Sequence, residues 1–458
     1  MMKENTLKKA LVIGVVALAF GLFAGPFDTA VLHGETDKEC AIDYAPNEEM
    51  TFTISLDGAT EFPPDSYFIK WTIQGDDGMK KRSGKEPASL TKPLVLKTSL
   101  SKPGFVKVSA YLVDAKGKNV HRAEKPDGKS GDGKKYANRY GLKAKEVFFE
   151  GGAGVQVDTL QGVPEPADFR KFWEQEKAKL AAVPFKDAVK LVEKPPRDAH
   201  ARIFAVEIPC AGPRPVTGYL TVPTKAGKYP AKFAVDGYNG KISQSQQAPA
   251  GAPWEQVTLH INAHGYDLDR DRDYYDQYAK SIMSHGKTYA LAAEEHPEPT
   301  GCYFEGMVLR VLRGLEYLKS RPEWNGRDLL VIGGSQGGLQ TMWAAGLDAD
   351  VSEAKPSIPW CCDMGGNATM GRVKKNWGVA WTPAMGYYDP INMARHVSSK
   401  CRVEIVRAGL GDYTCPPSGV AILYNNLKCP KKINWVQGST HIYVPPEEHQ
   451  QFSLSEGW

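Results

Sequence analysis

Between Phe105 and Leu112 the apolar residues fall largely on alternate positions: Val106, Val108, Ala110 and Leu112 follow Phe105. A period of two puts such side chains on one face of an extended strand. "MTFTISLDG" from Met50, "YFIKWTIQGDDG" from Tyr67 and "LVLKTSL" from Leu94 read the same way, with turn residues between them. Short strands spaced regularly over about a hundred residues predict a small all-β sandwich, immunoglobulin-like in size, over 35–150. The Lys/Gly-rich "KGKNVHRAEKPDGKSGDGKK" from Lys116 reads as a solvated loop.

Near Glu150 to Asp158 the pattern changes. In "VPEPADFRKFWEQEKAKLAAVP", Phe169, Phe172, Trp173 and Leu180 share one helical face, and prolines bracket the segment. Strand-like runs then follow: "RIFAVEI", "VTGYLTV", "AKFAVDGYNG" and "QVTLHINAHGYD". An amphipathic helix comes next in "YFEGMVLRVLRGLEYLKSRPEW", with Phe304, Val308, Val311, Leu315 and Leu318 on its apolar face. The later strands "CRVEIVRAGLGD" and "KINWVQGSTH" flank the helical "GVAILYNNL". Strands alternating with such helices predict an α/β fold over 155–458: a mostly parallel sheet with helices on both faces. Function in such sheets gathers at the C-terminal ends of the strands.

One of those ends reads "LLVIGGSQGGLQ", from Leu329. A buried strand runs into a very tight turn, and a helix starts at once. Ser335 sits at the apex, with Gly333 and Gly337 where a larger side chain would clash. This is the G-x-S-x-G nucleophile elbow of an α/β-hydrolase. A serine hydroxyl needs a base within hydrogen-bond reach, and the base needs an orienting carboxylate. The expected chain order is Ser, then acid, then His. Only His396, His441 and His449 follow Ser335. His441 closes a strand, whereas His396 falls in a helical stretch and His449 in an acidic, Pro-rich tail. Asp412 ends the preceding strand, 29 residues before His441; Asp363 and Asp389 are its rivals. The backbone N–H groups of Gln336 and Tyr238 are the candidate oxyanion hole. Trp360 and Tyr303 are candidates for lining the substrate mouth, Trp360 within a Trp360, Trp377 and Trp381 cluster. His260 and His264 are four apart at a strand end rather than on a helix, so no metal site is expected, and no cofactor.

Bulk properties change this little. The 458 residues carry a net charge of +4, too mild and too unclustered to point to nucleic acid. The basic start "MMKENTLKK" and the apolar Ala10–Gly25 predict a signal peptide within 1–30 and hence export, with an uncleaved membrane anchor as the alternative. Export would permit disulfides among the 8 cysteines, whose spacing gives no connectivity.

The segments "PEPADFRKFW", "DGYNG", "YLKSRPEWNGRDLLVIGGSQGG", "AGLGDYTCPPSGVAILYNN" and "THIYVP" occur in this order. Over about 155–445 the chain thereby resembles the acetyl xylan esterase / cephalosporin C deacetylase family of α/β-hydrolases. The resemblance implies Ser335 as nucleophile, Asp412 as acid, His441 as base and the hole at Tyr238 and Gln336. It implies a serine esterase that takes acetyl groups from carbohydrate, xylan or xylo-oligosaccharides, and a homo-oligomer. The family's R-G-Q motif is replaced here by His264-Gly265-Tyr266, its His-Gly-Tyr by Asp236-Gly237-Tyr238, and its His-Glu by His441-Ile442. A peptidase, a broader carboxylesterase and a non-catalytic carbohydrate-binding protein are the other readings. The β-domain is expected to bind polysaccharide or the hydrolase domain.

Overall fold

Among the described residues, seven antiparallel strands build the N-terminal part of the molecule. In the computed structural model, which describes residues 25–122, 146–195, 199–238, 255–445 and 450–458, they form two sheets. One is β1 (Val31–Thr36), β2 (Met50–Asp57) and β5 (Leu94–Thr98), in the order β1-β2-β5. The other is β3 (Tyr67–Gly75), β4 (Arg82–Pro87), β6 (Gly104–Asp114) and β7 (Phe148–Val155), in the order β4-β3-β6-β7. The alternation read at Phe105–Leu112 is the inner face of β6: Val106, Val108, Ala110 and Leu112 are buried with Phe52, Ile54, Ile69 and Phe149 in one core. Phe27 and Ala30 are buried in that core as well. The apolar stretch up to residue 24, most of the Lys/Gly-rich segment and His449 lie outside the described residues.

The second part is a ten-stranded mixed sheet. Its strands are β8 (Lys190–Lys194), β9 (Ala201–Ile208), β10 (Val216–Pro223), β11 (Tyr229–Val235), β12 (Val257–Ile261), β13 (Trp324–Gly334), β14 (Glu353–Ser357), β15 (Arg402–Gly409), β16 (Lys431–Val436) and β17 (Gln451–Glu456). Across the sheet the order is β17-β16-β15-β14-β13-β11-β12-β10-β9-β8. The six strands from β16 to β12 run parallel, and antiparallel strands extend both edges. Pairing Phe233 with Val331 and Ala231 with Leu329 aligns the central strands so that their buried residues share a core.

Helices α1 (Phe169–Ala181), α2 (Arg272–Ser281), α3 (Tyr303–Lys319), α4 (Gln336–Leu347) and α5 (Pro417–Asn426) connect or cover the strands. All four apolar positions predicted for α1 are buried, and so are all five predicted for α3. A Cβ on Gly314 would lie 2.7 Å from the Phe233 ring, so α3 sits close against β11. Among the described residues, no helix is long and apolar enough to cross a membrane.

The two parts meet along β7. Its sequence, FFEGGAGV, is buried at every position. Sandwich core lies on one side of it and the strand-end loops of the large sheet on the other. Phe105 packs on Trp435 (5.6 Å between ring centroids) and Phe148 on Tyr443 (5.2 Å). Lys107 stands over the ring of the buried Tyr413 at 4.4 Å.

Candidate active site

Ser335 follows β13 with φ 57° and ψ −118°, a conformation that side-chain-bearing residues rarely adopt. The surroundings impose it. Ser335 N–H donates to Ser357 O on the neighbouring strand end (2.9 Å), and Ser335 O accepts from Trp360 N (3.0 Å). A Cβ on Gly333 would lie 2.5 Å from the Gly337 backbone, and one on Gly337 would lie 2.6 Å from Val235 O. Both glycines are therefore fixed by close backbone approach, and the serine side chain is set at the C-terminal edge of the sheet.

The loops after β15 and β16 bring the other two groups to it. Ser335 Oγ donates to His441 Nε2 at 2.9 Å. His441 Nδ1 donates to Asp412 Oδ2 at 3.0 Å. These roles follow from the bonding pattern, since a carboxylate can only accept. Asp412 is buried, and its Oδ1 accepts from the N–H groups of Thr414 (3.0 Å) and Cys415 (2.9 Å). The carboxylate is held on one side so that its other oxygen faces the imidazole. Gly411 N–H donates to Ser439 O at 3.0 Å, which ties the acid loop to the histidine loop.

The rival acids are committed elsewhere. Asp363 is paired with Arg372 and accepts from Val163 N (3.1 Å). Asp389 caps the helical turn Pro390–Met393 and accepts from the N–H groups of Asp363, Met364 and Ile391. Burial pushes its carboxyl up to about 7. His396 bonds Glu165 at 2.7 Å. His260 bonds Asp236 (2.8 Å) and His264 bonds the Tyr303 hydroxyl (2.7 Å), so the two histidines four apart turn to different partners.

Gln336 is the first residue of α4, so its backbone N–H has no partner within the helix. Its side-chain oxygen accepts from the Tyr289 hydroxyl at 2.8 Å. The segment after β11 passes beside the elbow: a Cβ on Gly237 would lie 3.9 Å from Ser335 Cβ. Gln340 Nε2 donates to Asp236 O at 3.0 Å and pins that segment to α4. The Tyr238 ring stacks on Tyr289 (4.3 Å, 10°), and its hydroxyl bonds Thr288 and Tyr289. Burial pushes the phenol up to about 12.

Of the two candidates for the substrate mouth, Trp360 is enclosed, whereas Tyr303 is half-buried on the wall of an open cavity of about 430 Å³. Trp360 is fully buried, with its ring against Tyr238 and stacked on Trp377 at 4.9 Å. Tyr303 packs on Tyr289 at 4.7 Å and bonds His264. Trp377 and Trp381 line a different open cavity, of about 410 Å³. A residue beside the imidazole that sequence did not single out is Cys415. Its Sγ lies 3.6 Å from His441 Nδ1 and donates to Ile358 O at 3.1 Å, and burial raises its thiol well above the usual range. Asp412, Cys415 and His441 offer donor atoms within 4.8 Å of one another, but Asp412 and His441 already bond each other.

Sheet order and elbow together define an α/β-hydrolase. The family model described as acetyl xylan esterase (AXE1) matches residues 157–455, and the chain belongs to that family. It is 27% identical over 276 residues to the acetyl esterase Axe7A of Xylanibacter ruminicola; the match covers 58% of this chain and 61% of that protein, less than two thirds of its length. Two solved structures share the fold. The acetyl xylan esterase from Paenibacillus sp. R4 has 22% identity and a TM-score of 0.50, covering 62% of this chain and 92% of that one. Acetyl xylan esterase 1 from Thermoanaerobacterium sp. JW/SL YS485 has 18% identity and a TM-score of 0.51, covering 64% and 94%.

Proposed function

We propose that this protein is a serine esterase that removes acetyl groups from carbohydrate, with xylan and its oligosaccharides as the substrate class. The observation that carries the reading is the unbroken chain Ser335 Oγ, His441 Nε2, His441 Nδ1, Asp412 Oδ2, with links of 2.9 and 3.0 Å, in a member of the acetyl xylan esterase family. Ser335 attacks the acetyl carbonyl as His441 takes its proton. The N–H groups of Gln336 and Tyr238 receive the developing oxyanion, each worth about 3–4 kcal/mol of transition-state stabilisation. His441 protonates the departing sugar oxygen, leaving an acetyl group on Ser335. A water molecule activated by His441 then releases acetate. Asp412 orients the imidazole and stabilises its charged form. The half-buried rings of Tyr238 and Trp377, in contact at 4.4 Å, are read as a wall that favours a small acyl group.

The chain is further read as an exported protein, from its apolar N-terminus. The β-domain is read as a support for the acid and base loops rather than as a separate polysaccharide binder, because β7 is buried against them. The test of the catalytic reading is intact-protein mass spectrometry after rapid quenching with p-nitrophenyl acetate. A single acetyl adduct on wild type, absent from Ser335→Ala, is the expected result. Turnover by wild type that survives Ser335→Ala would refute the mechanism.

A further inference from the structure

The cavity beside Trp377 carries chemistry that cleavage of an acetyl ester does not use. Its lining includes three lysines, Lys287, Lys374 and Lys375, together with Asn376 and the rings of Trp377 and Trp381. No Asp or Glu is among its lining residues that the structure describes. Lys375 feels the buried Asp389 and Lys287 the exposed Glu294, so part of their charge is answered. Lys374 has no such neighbour among the described residues, and both Lys287 and Lys374 are exposed.

The wall is fixed in place. Val373 N–H donates to Asp76 Oδ1 of the β-domain at 2.9 Å, and Asn376 N–H donates to Tyr413 O at 2.7 Å. Ala380 N–H donates to Leu291 O at 3.3 Å across the cavity rim. Arg372, just before this stretch, is anchored on Asp363 and on Gln161 O. A preformed wall spares a ligand the cost of ordering it.

Trp377 joins this cavity to the elbow. Its ring meets Tyr238 edge-on at 4.4 Å and stacks on Trp360, whose backbone N–H bonds Ser335 O. A sugar unit in the cavity would thus sit one aromatic layer from the hydroxyl-bearing serine. Indole faces suit the C–H face of a pyranose. Ammonium and amide N–H groups suit a carboxylate, to which a neutral sugar has no counterpart. A volume of about 410 Å³ is of the size that holds a small ligand.

We propose that this cavity is a subsite for an anionic sugar, a uronic acid unit on the same glycan as the acetyl group, so that acidic acetylated oligosaccharides are the preferred substrates. The proposal rests on the esterase reading above and narrows its substrate class.

The test compares acetate release from acetylated xylo-oligosaccharides of equal length with and without a uronic acid branch. Ser335-dependent hydrolysis of p-nitrophenyl acetate by wild type serves as the control. The expected ratio of kcat/KM, acidic to neutral, is about tenfold at low salt, the size of one charge-assisted contact. The difference should lie in KM and shrink as salt screens the lysines. In the double variant Lys287→Gln/Lys374→Gln the ratio should fall close to one. A wild-type ratio near one, with the control positive, overturns the subsite and leaves the esterase standing. A ratio that the double variant does not change also overturns it. A negative control refutes the esterase reading itself, and the subsite with it.

Discussion

Gly152 and Gln437 exchange two hydrogen bonds: Gly152 N–H donates to Gln437 Oε1 at 2.9 Å, and Gln437 Nε2 donates to Gly152 O at 2.8 Å. Gly152 lies on β7 of the sandwich, and Gln437 opens the loop that carries His441 four residues on. A Cβ on the adjacent Gly151 would lie 2.2 Å from Gln437 Oε1, and one on Gly411, next to Asp412, would lie 1.9 Å from Glu150 O. Glycine on both sides of this seam lets the strand approach the acid and base loops closely enough to hold them.

Truncating Gln437 to alanine leaves a buried N–H and a buried C=O without partners. The expected cost is about 2–4 kcal/mol of stability, read as a lower midpoint in denaturant. Below that transition, kcat should fall more than KM changes, because the loop that loosens carries the base. An unchanged kcat alongside reduced stability would limit the seam to folding.

Asp412→Asn and Asp363→Asn should fail in different ways. The first removes the carboxylate facing His441 and lowers kcat by about four orders of magnitude while the fold persists. The second breaks the buried pair with Arg372 and costs about 3–5 kcal/mol of stability. The kcat of its folded fraction should stay orders of magnitude above that of the Asp412 variant. Kinetics and thermal unfolding on both proteins check this, and the opposite assignment would make Asp363 the acid.

Cys415 is close to the imidazole but buried, and burial raises its thiol well above the usual range. The thiolate is the reactive form. Iodoacetamide at neutral pH should leave both Cys415 and activity intact in the folded enzyme. Peptide mapping showing rapid alkylation there, with parallel inactivation, would contradict this.

Much of this architecture was legible in sequence because each signal was local. The elbow is carried by contiguous residues, Gly333 to Gly337, and the alternation in β6 and the apolar stripe of α3 are periodic. Asp412 and His441 were found by their places at strand ends, where the fold orients its chemistry. Several strands had no such signal. β4 (RSGKEP) lies at a sheet edge with no buried residue, and β17, at the far edge of the large sheet, has none either. β7 alternates nothing, because both its faces are covered, and its glycines read as loop until their partner, Gln437, is known. Trp360 was assigned to the mouth by residue type alone. Depth from the surface is a tertiary property, and it puts Trp377 in front of Trp360.

The central claim is tested most directly by acetate release from acetylated xylan by wild type and Ser335→Ala, alongside a p-nitrophenyl ester series of increasing acyl length. The account predicts acetate release from the polysaccharide, a steep fall in rate beyond the acetyl ester, and loss of both activities in Ser335→Ala. Hydrolysis that is indifferent to acyl length, or that persists without the Ser335 hydroxyl, would contradict it.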